Sequence, residues 1–379
     1  MIYFDNAATT YPKPVSVANR MQLAMLKYGG NPGRSGHDIS SASAEAIFEV
    51  RQKAADMFGC EVENCVFTHN CTSALNAAIK GLMSGGHIIT SDMEHNSVIR
   101  PIYALEKKNI ISFSVARVEE DDEKTVNNFI SKITPYTRAI ACTLASNVTG
   151  KEIPYKKIGK ICSERNICFI ADGAQVCGAK RLNLKEDNIN ILCCAGHKGL
   201  YGPMGTGMML SDGKYKLDST IDGGTGSVSS SIEMPDFSPD RFEAGTPNTP
   251  GILGLGAGID FVLKMGEENI YNYENKLKKR FLERIQDIDG IRIYTSENGA
   301  PIVSFNLYGV DSAEFAEKLN KAGFALRGGL HCSFLMHTKI GTIEQGTVRF
   351  APSVMNTQRE VDMLAFTIKK LSKEYKKHL

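Results

Sequence analysis

Ile167-Cys-Phe-Ile-Ala-Asp172-Gly-Ala-Gln175, followed shortly by Ile189-Asn-Ile-Leu-Cys-Cys-Ala-Gly-His-Lys198-Gly, decides the fold. Each half is a short, almost wholly apolar run that ends in polar residues and glycine. Apolarity without alternation reads as a strand of a mostly parallel sheet covered on both faces. Cys65-Val-Phe-Thr, His87-Ile-Ile-Thr, Ile111-Ser-Phe-Ser-Val and Arg138-Ala-Ile-Ala-Cys-Thr-Leu read the same way. Candidate helices lie between them, over 41–58, closed by Gly59, and over 72–83, followed by Gly85 and Gly86. This alternation from about residue 40 to 210 predicts an open α/β sheet. Ligands of such sheets sit beyond the carboxyl ends of the strands. His95, Asn147, Asp172 and Lys198 each end or follow a predicted strand, so they are expected to meet in one crevice.

Residues 211–250 break the pattern, with Gly, Ser, Pro and Asp in place of apolar runs, and read as a long functional loop. Helices are expected over 250–265 and 268–287, strands near 291 and 302, a helix near 311–322, a strand near 347 and a terminal helix from 357. The expected division is a large domain over 1–250 and a small α+β domain over 251–379, with the segment 1–30 free to pack with the latter.

Composition sets bounds. The 379 residues suffice for a large core and two domains. A net charge of +2 argues neither for nor against nucleic acid, and no nucleic-acid partner is expected. Lys369, Lys370, Lys373, Lys376 and Lys377 read as the solvated side of a terminal helix. The opening Met1-Ile-Tyr-Phe-Asp-Asn lacks an export signal, and no apolar run is long enough for a bilayer, so a cytoplasmic location and no membrane contact are expected. The ten cysteines include no C-x-x-C pair, so no metal site is expected. Cys142, Cys168, Cys193 and Cys194 lie in apolar runs and read as small buried hydrophobes.

Lys198 and Asp172 carry the chemistry. A lysine in a glycine-rich turn with an aspartate upstream suits pyridoxal 5'-phosphate. The amine forms a Schiff base with the cofactor's aldehyde, and the carboxylate keeps the pyridine nitrogen protonated so that the ring accepts electrons.

Further motifs are Tyr3-Phe-Asp-Asn-Ala-Ala-Thr-Thr10, Asn31-Pro-Gly-Arg-Ser-Gly-His37, Met93-Glu-His95, Ser146-Asn-Val-Thr-Gly150, Phe242-Glu-Ala-Gly-Thr-Pro-Asn248, Arg327-Gly-Gly-Leu-His-Cys332 and Arg349-Phe-Ala-Pro-Ser353. In joint order and spacing the chain resembles the class V aminotransferase family of fold-type I enzymes over nearly its whole length, closest to its group II cysteine desulfurases and selenocysteine lyases. The resemblance implies a mostly parallel seven-stranded sheet flanked by helices, a smaller α+β C-terminal domain, a pyridoxal phosphate cofactor, and a homodimer with shared active sites. It assigns His95 to the face of the cofactor ring and to proton transfer, and Asn147 and Gln175 to the cofactor's phenolic oxygen. Thr72 and His197 are implied at the phosphate, with Thr246 reaching the phosphate of the neighbouring subunit. Arg327 is implied to bind the substrate carboxylate, a task suited to its planar fork. Arg349, Asn6, Ala7, Arg34 and His37 are implied at or beside the substrate. Two residues depart from the family's pattern in the phosphate cup: Ala195 replaces a serine, and Cys71 a threonine.

Cys332, five residues after Arg327, is implied to take sulfur from the substrate as a persulfide. Nearby arginines and His331 are expected to favour its thiolate. Leu330 stands where the family commonly has a first histidine. The implied reaction converts L-cysteine to L-alanine, with sulfur passed to an acceptor protein or thiol. A selenocysteine lyase acting on L-selenocysteine, another reaction of the family, and a non-catalytic sulfur scaffold are the alternatives. Gly254-Leu-Gly-Ala-Gly258 mimics a dinucleotide fingerprint, but no strand precedes it, so helix packing is expected. Gly223-Gly-Thr-Gly226 is expected to belong to a lid over the site.

Overall fold

The computed structural model describes residues 1–33 and 36–376. The chain opens with β1 (Ile2–Tyr3), α1 (Val15–Lys27) and α2 (Asp38–Phe58). The alternating part contains β2 (Cys65–Thr68), α3 (Cys71–Leu82), β3 (His87–Ser91), α4 (Asn96–Lys107), β4 (Ser112–Ala116) and α5 (Asp122–Ser131). It continues through β5 (Thr137–Thr143), α6 (Tyr155–Glu164), β6 (Cys168–Asp172), α7 (Leu184–Asp187), β7 (Ile191–Ala195) and β8 (Gly207–Ser211). After the irregular stretch come α8 (Thr249–Met265), α9 (Glu267–Ile285), β9 (Ile291–Tyr294), β10 (Val303–Leu307), α10 (Ser312–Lys321) and β11 (Phe324–Ala325). The chain ends with α11 (Phe334–Lys339), β12 (Val348–Phe350) and α12 (Gln358–Lys376).

The main sheet has the order β2-β8-β7-β6-β5-β3-β4. The pairs from β4 through β3, β5 and β6 to β7 are parallel, whereas β8 runs antiparallel to both β7 and β2. Six of these strands coincide with the apolar runs of the sequence. The seventh, β8, was not read there, because it follows directly on the glycine-rich turn after Lys198. All five residues of β3, β6 and β7 are buried, as a sheet covered on both faces requires.

Local signals explain the flanking helices. His37 caps α2, its Nδ1 accepting the Ser40 N–H at 3.2 Å, and Gly59 stops the helix in the left-handed region at φ 72°. The glycines of α8 serve packing, as expected. A Cβ on Gly256 would lie 2.6 Å from Val50, and one on Gly258 only 2.3 Å from the Leu200 carbonyl oxygen. Helix α8 thereby rests on the turn that follows Lys198.

A second sheet, β12-β10-β9, carries α9, α10 and α12 around a separate apolar cluster of Phe281, Phe305, Phe315 and Phe350. The N-terminal segment joins it: β1 pairs with β11, and Phe4 packs in that cluster. Ile252, Leu253, Leu255 and Ile259 of α8 pack instead with the core of the main sheet. We therefore propose Gly266, between α8 and α9, as the domain junction in place of residue 250. No helix among the described residues is long and apolar enough to cross a membrane.

Candidate active site

The carboxyl ends of β3, β5, β6 and β7 open on a cavity of about 210 Å³. Its walls include Lys198, Asp172, His95, Thr72, Arg327 and Arg349, contributed by both sheets. Asn147, Gln175, His197, Cys71 and Ala7 also line it. Four strand ends thus meet as their apolar runs predicted.

Lys198 sits in a tight turn in which Tyr201 N–H reaches the Lys198 carbonyl at 2.8 Å and Gly202 N–H reaches that of Gly196 at 2.8 Å. Among the described residues its Nζ has no hydrogen-bond partner. Burial lowers its pKa, against the attraction of Asp172 and Cys71 and with the repulsion of Arg349. The outcome is an amine readier to act as a nucleophile than a surface lysine. Asp172 is buried at the end of β6, and its Oδ1 accepts the Ala174 N–H at 3.0 Å and faces Cys71 Sγ at 3.4 Å.

His95 caps α4. Its Nδ1 accepts the Ser97 N–H at 3.1 Å, which places the ring proton on Nε2. Burial pushes its pKa down to about 4, with Asp172 opposing and Lys198, Arg327 and Arg349 adding to the fall, so the imidazole is neutral near pH 7. Ser97 Oγ lies 2.8 Å from the same Nδ1 and 2.7 Å from Thr72 Oγ1, tying the N-terminus of α3 to that of α4. Ser97 was missed in the sequence. Its signal was its place two residues after the capping histidine, where a short hydroxyl meets a helix start.

His197 is held by its carbonyl, which accepts from Thr9 Oγ1 at 3.0 Å and Lys13 Nζ at 2.6 Å. Its buried Nδ1 has no partner among the described residues. Arg349 is almost fully buried, with Nη2 2.6 Å from Asp5 Oδ1 and Nη1 3.1 Å from the Asn147 carbonyl. Asp5 was likewise missed, because nothing in the sequence indicates that β1 would carry it to β12. Asn147 donates one amide hydrogen to the His331 carbonyl at 2.8 Å, and Gln175 donates to the Ala7 carbonyl at 3.2 Å.

Cys332 is exposed, whereas eight of the other nine cysteines are buried and Cys60 is intermediate, so Cys332 is the thiol most open to a solvent-borne acceptor. Its Sγ lies 3.8 Å from Nη2 of Arg327, the same guanidinium that lines the cavity. His331 does not face the thiol as expected. Its Nε2 is 2.9 Å from the Thr347 carbonyl, and burial together with both arginines holds its pKa far below the usual imidazole range. The neutral, inward-turned ring leaves Arg327 as the positive group beside Cys332.

Other expected residues make different contacts or lie elsewhere. The Asn6 amide is spent on the Ala351 carbonyl at 2.9 Å and the Tyr11 N–H at 3.1 Å, and the residue lines an adjoining cavity of about 50 Å³ that shares Ala7, Ala174, Gln175 and Lys198 with the main one. Cys71 turns its thiol to Asp172, away from the role of a substitute hydroxyl in a phosphate cup. His37 is exposed at the start of α2. Thr246 is exposed beside a different cavity lined by Phe67, Phe242 and Asn248. Gly223, Gly224, Thr225 and Gly226 lie by a further cavity bordered by residues 219–241 and do not border the one at Lys198. Arg34 is outside the described residues.

A sequence model of the aminotransferase class-V family matches residues 2–364. A probable cysteine desulfurase of Pyrococcus abyssi is 31% identical over 388 aligned residues, covering 98% of this chain and 94% of that protein. One from Methanothermobacter thermautotrophicus is 29% identical with the same two coverages. The apo structure of a cysteine desulfurase from Thermococcus onnurineus NA1 superposes with a TM-score of 0.91 at 30% identity, covering 98% of this chain and 95% of that one.

Proposed function

We propose that this chain, which belongs to the aminotransferase class-V family, is a cysteine desulfurase that converts L-cysteine to L-alanine and passes the sulfur through Cys332. The observation that carries this reading is the double position of Arg327: its guanidinium lines the cavity of Lys198 and Asp172 and also faces the exposed Cys332 thiol. A transaminase needs no thiol there.

The residues present suit pyridoxal phosphate. Lys198, which lines the cavity, is the amine to hold its aldehyde, and buried Asp172 the carboxylate to face its ring nitrogen. The N-terminus of α3 with Thr72, and the unpartnered Nδ1 of His197, offer donors to a phosphate. When bound, the cofactor supplies an electron-accepting ring that lowers the cost of charge at the substrate's α-carbon.

The chain's own residues then divide the work. Arg327 and Arg349 hold and orient the substrate carboxylate. Lys198 Nζ takes the α-proton, and neutral His95 gives or takes a proton at the bound substrate. Cys332 Sγ, once it has given up its proton, bonds to the substrate sulfur as the carbon–sulfur bond breaks; the β-carbon takes up a proton in place of the sulfur, and the proton taken from the α-carbon is returned there, which completes alanine. The persulfide on Cys332 is exposed to an acceptor protein or thiol. Exposed Thr246, outside the cavity of its own chain, supports a homodimer in which it serves the neighbouring site. Ten free cysteines fit a reducing cytoplasm.

The test is turnover of L-cysteine and L-selenocysteine side by side by the cofactor-loaded protein, with alanine and protein-bound persulfide as readouts. Alanine from cysteine at a useful rate is expected. Turnover of selenocysteine alone would favour the lyase, and formation of pyruvate or glutamate would point to another reaction of the family.

A further inference from the structure

Cys71 occupies the first turn of α3, directly after the capping residue Asn70, and its thiol is buried. The thiol has one proton and two acceptors within reach, Asp172 Oδ1 at 3.4 Å and the Cys193 carbonyl at 3.5 Å. A carboxylate oxygen is the stronger acceptor of the two. Burial and the nearby carboxylate hold the thiol's pKa well above the usual range, so it keeps its proton and remains a donor. Asp172 Oδ1 therefore receives two donors from the chain, Ala174 N–H and Cys71 S–H, which leaves Oδ2 for the group that enters the cavity.

We propose that Cys71 is a positioning residue that fixes Asp172 through an S–H···Oδ1 hydrogen bond and thereby sets how strongly this carboxylate interacts with the cofactor's ring nitrogen. It rests on the reading of Asp172 given above. A thiol donates more weakly than a hydroxyl. At this position the bond is enough to hold the carboxylate's orientation while withdrawing little of its negative charge. A serine would withdraw more charge, and an alanine less. The two substitutions should therefore act in opposite senses, which is not what loss of packing alone would do.

The first measurement needs no cofactor. The infrared difference spectrum of the wild-type protein minus Cys71→Ser isolates one S–H stretch among ten thiols. It should lie below the frequency of a free thiol and move up when Asp172→Asn replaces the carboxylate. A free-thiol frequency in both backgrounds would overturn the proposal. The second measurement titrates the visible absorption of the cofactor-loaded protein with pH. Cys71→Ser and Cys71→Ala should move the midpoint in opposite directions, each by about half a unit. Midpoints unchanged in both variants, or moved the same way, would overturn the tuning role. Wild-type protein that takes up no cofactor would instead sink the functional reading, while the infrared result still decides whether the bond exists.

Discussion

The carbonyl of Cys332 accepts the backbone N–H of Asn96 at 2.8 Å, which joins the thiol-bearing turn to the first residue of α4, next to His95. Two further bonds hold this turn: Asn147 Nδ2 to the His331 carbonyl at 2.8 Å, and Ser333 Oγ to the Glu94 carbonyl at 3.1 Å. His331 and Cys332 both lie in the left-handed region, at φ 48° and 55°. Non-glycine residues there cost on the order of 1–3 kcal/mol each, and persist where surrounding bonds over-determine them. The thiol is thus fixed relative to His95 and not carried on a free loop.

Removing the Ser333 hydroxyl tests that arrangement. Ser333→Ala should cost about 1 kcal/mol of stability by denaturant titration, the value of one buried hydrogen bond. Its cofactor absorption should be unchanged. The rate of Cys332 alkylation by iodoacetamide should change, because the turn is released. An unchanged rate would mean that the other two bonds suffice.

Cys332→Ala should retain the visible colour of the loaded protein and lose persulfide formation from L-cysteine by a factor of 100 or more, about 2.7 kcal/mol of transition-state stabilisation. Mass spectrometry of the intact protein after a single turnover checks this directly. A variant that still released sulfide at the wild-type rate would remove Cys332 from the mechanism.

Lys198→Ala should abolish covalent attachment of the cofactor. Borohydride reduction of the loaded wild-type protein should leave a stable adduct on the peptide containing Lys198, and the variant should show none. An adduct on another lysine would relocate the site.

Stability should fall on both sides of a pH near 6. Burial pushes His95, His197 and His337 down to about 4 in the folded chain, against 6.5 when exposed. Between these values the unfolded chain binds more protons, so stability is lost as pH falls from 6.5 towards 4. Burial raises the fully buried Glu94 and Glu274 carboxyls to about 8, from 4.5. For them the folded chain binds more protons, so their contribution is present below 4.5 and lost as pH rises through 8. The two sets oppose between 4.5 and 6.5, and only the carboxyls act from there to 8. Glu274→Gln, which keeps a partner for Tyr201, should flatten the decline from pH 6.5 to 8 in denaturant titrations. A decline of undiminished slope would show that Glu274 does not hold its proton.

Much of the main sheet was legible because strands buried on both faces must be mostly apolar, as residues 167–171 and Ile191–Ala195 are. The polar residues that end such runs then had one place to go. β8 was not legible, because its five residues follow a turn whose glycines mask where the strand starts. The orientation of His331 was not legible either. A histidine beside a cysteine suggests an activator, and only the packing of β12 behind it, with the Thr347 carbonyl, turns the ring away.

The sequence by itself determined the residue types of the site and their place at strand ends, since hydrophobic periodicity and glycine-rich turns are local properties of a chain. Tertiary structure decided which of those residues face one another. The pairings of Arg349 with Asp5 and Cys71 with Asp172 join residues far apart in the chain, the first brought together as β1 pairs with β11 and the second as α3 packs at the end of β6. Side-chain direction in a buried site depends on which donors and acceptors remain unspent after the backbone is placed, and no local pattern of residues records that.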